Sequence, residues 1–251
     1  MSPAGTPRAA AATPAAPAGL DHPGWVAHFT AEARRRAAQG DPDWSRGARA
    51  SDALRRSLQK FQVGEDGDGS ALIAKADAAG DDAYTSALRL FVAEEQNHAR
   101  LLARLLAAAG TPLLGAHWSD ALFVRLRRLL GLRLELMVLL VAEVVAVRYY
   151  RAVRDGAGDP LVAEVAGRIL ADERRHIPFH CRRLRESLDE LPAPLRSPAV
   201  AGWRLLALGA AVFVAVDHGP ALRLLGVPRL RFTVDVAAVA AETARALGRA
   251  G

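Results

Sequence analysis

The feature that most constrains this chain is a repeat at a distance. Glu65, Glu95 and His98 recur as Glu143, Glu173 and His176, every position number rising by the same 78. The lone glutamate therefore precedes a Glu-x-x-His pair by one constant interval, from 65 to 95 and again from 143 to 173. Residues three apart share one face of an α-helix, so each pair can grip one ion. Eleven glutamates and seven histidines give about 0.3 such spacings by chance, so one match is weak and two in register are informative. Each half then reads as a helix pair, one helix giving a single Glu and its antiparallel partner giving Glu-x-x-His.

The rest of the pattern agrees with an all-α chain. Helical periodicity dominates and no alternating strand run occurs. A first helix is expected over 30–39, closed by Gly40-Asp41-Pro42. A second starts near Ser51 and carries Leu54, Leu58, Phe61 and Glu65 on one stripe, until the Gly/Asp-rich stretch 64–69 weakens or ends it. The next, 82–109, carries Leu88, Phe91, Glu95, His98 and Leu102, and Gly110-Thr111-Pro112 stops it. Ser119 has the character of an N-cap, and helical pattern continues from it to Arg154. As one rod that stretch would be ~54 Å long, so a break is expected near Gly131. The piece 132–154 is apolar nearly all round and belongs in an interior. Asp159-Pro160 opens a further helix running to about Leu188, with Pro192 and Pro194 after it. Residues 197–251 read as two helices around a break at 226–231 that holds Pro228.

Composition adds limits. The 251 residues are 51% hydrophobic, enough for one large domain or two small ones. The first 22 residues are mostly Ala, Pro, Gly and Thr, which cannot bury enough apolar area to order themselves, and are expected to be a disordered tail. They lack the compact apolar stretch of a secretory signal. The division expected is 1–22 tail, 23–196 metal-binding domain and 197–251 apolar helical extension packed on it. The single cysteine, Cys181, excludes an intramolecular disulfide and a multi-thiolate zinc site and fits a reducing, cytoplasmic compartment; it reads as a packed core thiol. The net charge is +6 and only two of the 33 basic residues are lysines, Lys60 and Lys75. Arginine clusters at 34–36 and 125–133 can attract nucleic acid or an anionic membrane surface, or are solvated helix faces. Residues 200–216 come closest to a membrane span, but Arg204 interrupts them, and a buried or membrane-surface helix is expected instead.

Several single residues carry chemistry. Glu143 lies in the otherwise wholly apolar run 136–147, so it must be protonated, paired with an arginine such as Arg148, or metal-bound. His180 follows His176 by four positions, so it is a further ligand or a polar contact beside the site. Pro178 between them removes a helix bond and should kink the chain. Leu88, Phe91, Leu139, Leu140 and Tyr150 share the ligands' stripes and line a substrate cavity or fill core. Tyr150 sits ~10 Å along the axis from Glu143, too far for an obvious ligand. Glu94 and Asp172, separated by the same offset as the ligands, are solvent-exposed or hold histidine ring N–H groups.

One Glu from each of two helices and Glu-x-x-His from each of two others is the ligand set of the ferritin-like di-iron carboxylate proteins. Over residues 51–188 the chain resembles that superfamily at all six ligand positions. The resemblance implies a ferritin-like four-helix bundle with added N- and C-terminal helices, holding two iron ions or manganese in a mixed nitrogen and oxygen shell. It implies that Asp172 holds His98, that Glu94 holds His176, and that Arg175, within Asp172-Glu173-Arg174-Arg175-His176, bridges to Glu94. It implies dioxygen and a small organic substrate as reactants, hydroxylation, N-oxygenation or desaturation as the reaction, and an electron-donor protein as partner, with a homodimer allowed. Ferroxidase or storage chemistry and peroxide removal are the alternatives the same ligands permit.

Overall fold

A computed structural model describes residues 19–115 and 131–248. Most of the expected tail, the expected cap Ser119 and most of the 125–133 arginine cluster lie outside them. The described residues are helical, with no strand among them. In chain order the helices are α1 (His22–Gln39), α2 (Asp52–Glu65), α3 (Ser70–Ala78), α4 (Asp82–Ala108), α5 (Leu132–Gly156), α6 (Pro160–Asp189), α7 (Ala193–Asp217), α8 (Gly219–Leu224) and α9 (Arg229–Gly248).

Local chemistry sets most boundaries. Asp21, Ser51, Asp81 and Asp159 each accept a backbone N–H of the helix that follows, satisfying donors that a helix leaves unpaired. Gly40, at φ 70°, closes α1 in a conformation that side-chain-bearing residues avoid. Gly156 ends α5 at a close approach: a Cβ there would lie 2.3 Å from the Leu225 carbonyl oxygen.

Two sequence expectations are corrected. The first helix begins at His22, not Thr30, because Asp21 caps it and Pro23 fits its first turn. Its Trp25 and Phe29 are buried and pack edge-on against Phe179 of α6. Burying two such rings contributes about 2–3 kcal/mol each, more than the Ala-rich flank could suggest. The second correction is α3, which the Gly/Asp-rich stretch concealed; Leu72 and Ala76 bury it against the core. The boundary expected at 196/197 also falls inside α7.

Helices α2, α4, α5 and α6 pack on one another, with α1 lying on α4. Between α2 and α5, Phe61 stacks on Tyr149 at 3.6 Å. α5 is buried along Leu136, Leu140, Val144 and Val153, as its all-round apolar sequence requires. The last long helices, α7 and α9, pair with each other and sit against α5, where the Trp203 indole N–H donates to the Met137 carbonyl at 2.9 Å. α6 runs unbroken through Pro178.

Candidate metal centre

The six residues of the repeat come from four helices: Glu65 from the end of α2, Glu95 and His98 from α4, Glu143 from α5, Glu173 and His176 from α6. Their ligand atoms form two overlapping groups, each lying within 4.8 Å of one another. One group is Glu65, Glu95, His98 and Glu173; the other is Glu95, Glu143, Glu173 and His176. Glu95 and Glu173 belong to both. This buried Glu/His cluster could hold a metal ion.

The histidines aim one nitrogen inward and one outward. His98 Nδ1 lies 3.4 Å from Glu95 and 3.5 Å from Glu173, and His176 Nδ1 lies 3.2 Å from both Glu95 and Glu143. Outward, His98 Nε2 donates to Asp172 at 3.1 Å and His176 Nε2 donates to Glu94 at 3.0 Å. Those bonds fix which nitrogen carries hydrogen and leave each Nδ1 lone pair for a cation. Glu94 and Asp172 are fully buried, so their solvent-exposed reading is excluded.

Three buried site atoms, Glu95 Oε1, His98 Nδ1 and Glu173 Oε2, have no hydrogen-bonding partner. A buried polar atom left unpaired is costly, and here several converge on one spot. Without a cation the cluster must compensate internally. Burial and the neighbouring Glu95 charge push the Glu65 carboxyl well up, and burial with the Glu143 charge does the same for Glu173. Burial also works against charge on Glu95, but the two histidines close beside it outweigh it and hold that carboxyl well below its usual range. For Glu143, burial and Glu95 are outweighed by His176 and His180, bringing it down to about 2. Burial disfavours the imidazolium form of His98 and His176, yet the surrounding carboxylates raise both. Four carboxylates and two imidazoles, several of them holding protons that a cation would replace, make a mixed oxygen and nitrogen donor set that could hold a metal ion.

The surroundings differ from expectation at several points. Arg175 does not bridge to Glu94; it bonds Asp172 and lies 3.3 Å from Glu32 of α1. Arg36 of α1 takes that place, with Nη1 2.5 Å from Glu94 Oε1 and 3.5 Å from Asp172 Oδ1. One guanidinium therefore touches the acid partners of both histidines. The sequence carried its signal: Trp25, Phe29, Glu32 and Arg36 fall on one helical stripe, which becomes visible once α1 starts at His22. Arg148 pairs with Asp235 at 3.0 Å, not with Glu143. Tyr150 donates its hydroxyl to Glu65 at 2.7 Å, a contact across helices that spacing along α5 could not show. His180 is fully buried, 3.6 Å from Glu143 and edge-on to Phe91, and belongs to neither ligand group. Cys181 is buried, which pushes its thiol up to about 12.

A cavity of about 260 Å³ reaches the cluster, walled by Phe61, Leu139, Ala142 and Ala146, with Lys60 and His218 among its polar lining. Glu65, Glu95, Glu143 and Glu173 all face it. Leu139 thus lines a cavity, while Leu88, Phe91, Leu140 and Tyr150 are core. A separate trio, His22, Asp81 and Glu186, also clusters, but Arg183 lies within 4.0 Å of both acids and supplies their positive charge. Comparison of the chain with protein-family models, curated protein sequences and solved structures gives no match.

Proposed function

We propose that the chain is a ferritin-like, non-haem di-iron protein that uses dioxygen to oxidise a small organic substrate. The observation that carries this reading is the pair of overlapping ligand groups sharing Glu95 and Glu173. Glu95 and Glu173, common to both groups, would serve two cations at once, each further held by one Glu/His set. His98 with Glu65 would complete one position and His176 with Glu143 the other. Four carboxylates would offset most of the charge of two divalent ions. When bound, such ions supply the redox equivalents and open coordination that no side chain here possesses.

The protein's own residues do the remaining work. Asp172 and Glu94 hold the imidazoles in one tautomer and orientation, and Arg36 fixes both acids. Tyr150 holds Glu65 at the cavity end by its hydroxyl hydrogen bond. The apolar part of the cavity wall, Phe61, Leu139, Ala142 and Ala146, presents room for an organic molecule beside the carboxylates. That apolar wall beside the carboxylates is what favours substrate oxidation over mineral storage. Electrons would come from a donor protein.

Metal analysis tests the ligand set. Wild-type protein loaded anaerobically with Fe(II) is expected to hold two ions per chain, and Glu143→Ala or Glu95→Ala to lose the second. Two ions retained after either change would show the assignment wrong. Mixing the loaded protein with dioxygen then separates functions. Oxidation that stops at the bound iron supports the oxidase reading, whereas continuing iron uptake with rising mineral absorbance would replace it with storage.

A further inference from the structure

We infer that the outer face of α7 docks on an anionic lipid bilayer, the helix lying along the membrane surface. The most apolar 18 residues of α7 reach a mean hydropathy of 2.0, yet only 22% of them are buried in the protein. The buried part is one narrow stripe at intervals of four, Trp203, Ala207, Ala211 and Ala215. Apart from Trp203, the large apolar residues mostly point the other way: Leu205 is 71% exposed and Phe213 65%, with Leu206, Val212 and Val216 beside them. A folded chain rarely leaves so broad an apolar helix face in water without a partner for it.

Charge selects the partner. From Ala193 to Val216 the only charged side chains of α7 are Arg196 and Arg204; Arg196 is paired with Asp189 at 3.0 Å, which leaves the exposed Arg204 as the charge on this face. Asp217, at the end, is paired with Lys60 at 2.6 Å. Beyond it Arg223 and Arg229 are exposed, near the exposed Leu224 and Leu230. An apolar face edged by arginines matches acyl chains beneath anionic headgroups. A two-fold contact with a second copy would instead set the like charges of Arg204, Arg223 and Arg229 against one another.

The helix lies on the bilayer and does not cross it. Its buried stripe and the Trp203 bond to the Met137 carbonyl tie it to the body, and a crossing helix would have to give these up. The docked face also leads inward. An apolar groove of about 260 Å³ is walled by Leu206, Ala210 and Val214 of α7, Val141 and Ala142 of α5 and Phe61 of α2. Phe61 and Ala142 also wall the cavity at the carboxylate cluster. On the di-iron reading, the substrate is then a lipid-soluble molecule taken from the membrane.

Vesicle flotation of the full chain tests this, using phosphatidylcholine vesicles with and without phosphatidylglycerol. Wild-type protein is expected to float with the anionic vesicles and much less with the neutral ones. The double variant Leu205→Ser, Phe213→Ser alters only exposed side chains, so its circular dichroism should match wild type while its partitioning falls about tenfold or more. Wild-type protein that stays in solution with anionic vesicles, or equal flotation of the variant, overturns the proposal. So does a wild-type dimer that the variant converts to monomer, which would assign the face to a second copy. Metal-free protein serves equally well here, so failure of the di-iron reading and failure of membrane docking are read separately.

Discussion

Replacing Arg36 by methionine isolates the contact that spans both halves of the site. Its guanidinium meets Glu94 at 2.5 Å and Asp172 at 3.5 Å, and both acids are buried. Removing one member of a buried ion pair costs about 3–5 kcal/mol, because the remaining charge stays in a low-dielectric setting. Two features reduce that figure here. The Arg36 side chain is 22% exposed, and each acid keeps another partner, Glu94 in His176 and Asp172 in His98 and Arg175. A loss of about 2–3 kcal/mol is therefore expected for metal-free Arg36→Met. At about 2–4 °C per kcal/mol for a chain of this size, Tm should fall by roughly 4–12 °C. Arg36→Lys should recover only part of this, since an ammonium keeps the charge and loses the planar fork. The assay is thermal and urea unfolding of both variants, of Glu94→Gln, and of the Arg36→Met/Glu94→Gln pair. The double-mutant cycle should give a coupling of about 1–2 kcal/mol. Additive effects, or a single loss below about 0.5 kcal/mol, would refute the claim that Arg36 holds Glu94 in place.

Two other measurements follow from the charges. Glu65, Glu173, His98 and His176 all hold their protons more tightly than usual in the metal-free cluster, so a bound cation must displace them. Affinity for Mn(II) or Fe(II) is expected to rise with pH, and calorimetric heats should differ between buffers of different ionisation enthalpy; identical heats would count against proton release. His218 is buried and its imidazole is held down at about 4 against an ordinary 6.5, first by burial, partly offset by Asp217, and further by Lys60. A lowered value means the folded state prefers the neutral ring, so its contribution is complete above pH 6.5 and is lost as pH falls towards 4. At about 1.4 kcal/mol per pH unit the full loss is about 3 kcal/mol, and urea unfolding of His218→Gln should show a correspondingly flatter acid limb. Parallel acid limbs for the two proteins would remove His218 as the cause.

The convergence of the six repeat residues was legible because it is written in two local rules, helical spacing and one constant offset between the halves. Asp172 and Glu94 were legible for the same reason. What failed to show was whatever depends on helices meeting. Arg36 sits in a run of three arginines that looks like solvated surface, and only the packing of α1 on α4 turns it inward. Tyr150 reaches Glu65 because α5 and α2 pack together, not because of any spacing along α5. α3 went unread because it is short and follows directly on the Gly/Asp-rich stretch 64–69, although its own Ala, Leu and Lys residues favour a helix and Leu72 and Ala76 bury it. The apolar character of α7 was plain, but its outward orientation was not, since a buried alanine stripe leaves the larger residues facing solvent.

The repeat duplicates the ligands but not their surroundings, and that difference gives the site two unlike faces. Shifting Tyr150, Arg175 and His180 back by the ligands' own offset gives Leu72, Asn97 and Leu102, so none of their contacts has a counterpart in the first half. The cavity meets all four carboxylates and neither ligand histidine. Behind the histidines lie Glu94, Asp172 and Arg36, and His176 is also packed edge-on by Phe91 at 4.7 Å. The imidazole side is therefore sealed by a buried charge network and aromatic rings, while the carboxylate side opens towards a cavity with apolar walls. Carboxylates can change how they bind a cation, whereas an imidazole held at its far nitrogen cannot. On the proposed di-iron reading, exchange of water or substrate would thus take place on the carboxylate face, next to Leu139, Ala142 and Ala146, with the histidine face acting as the fixed frame.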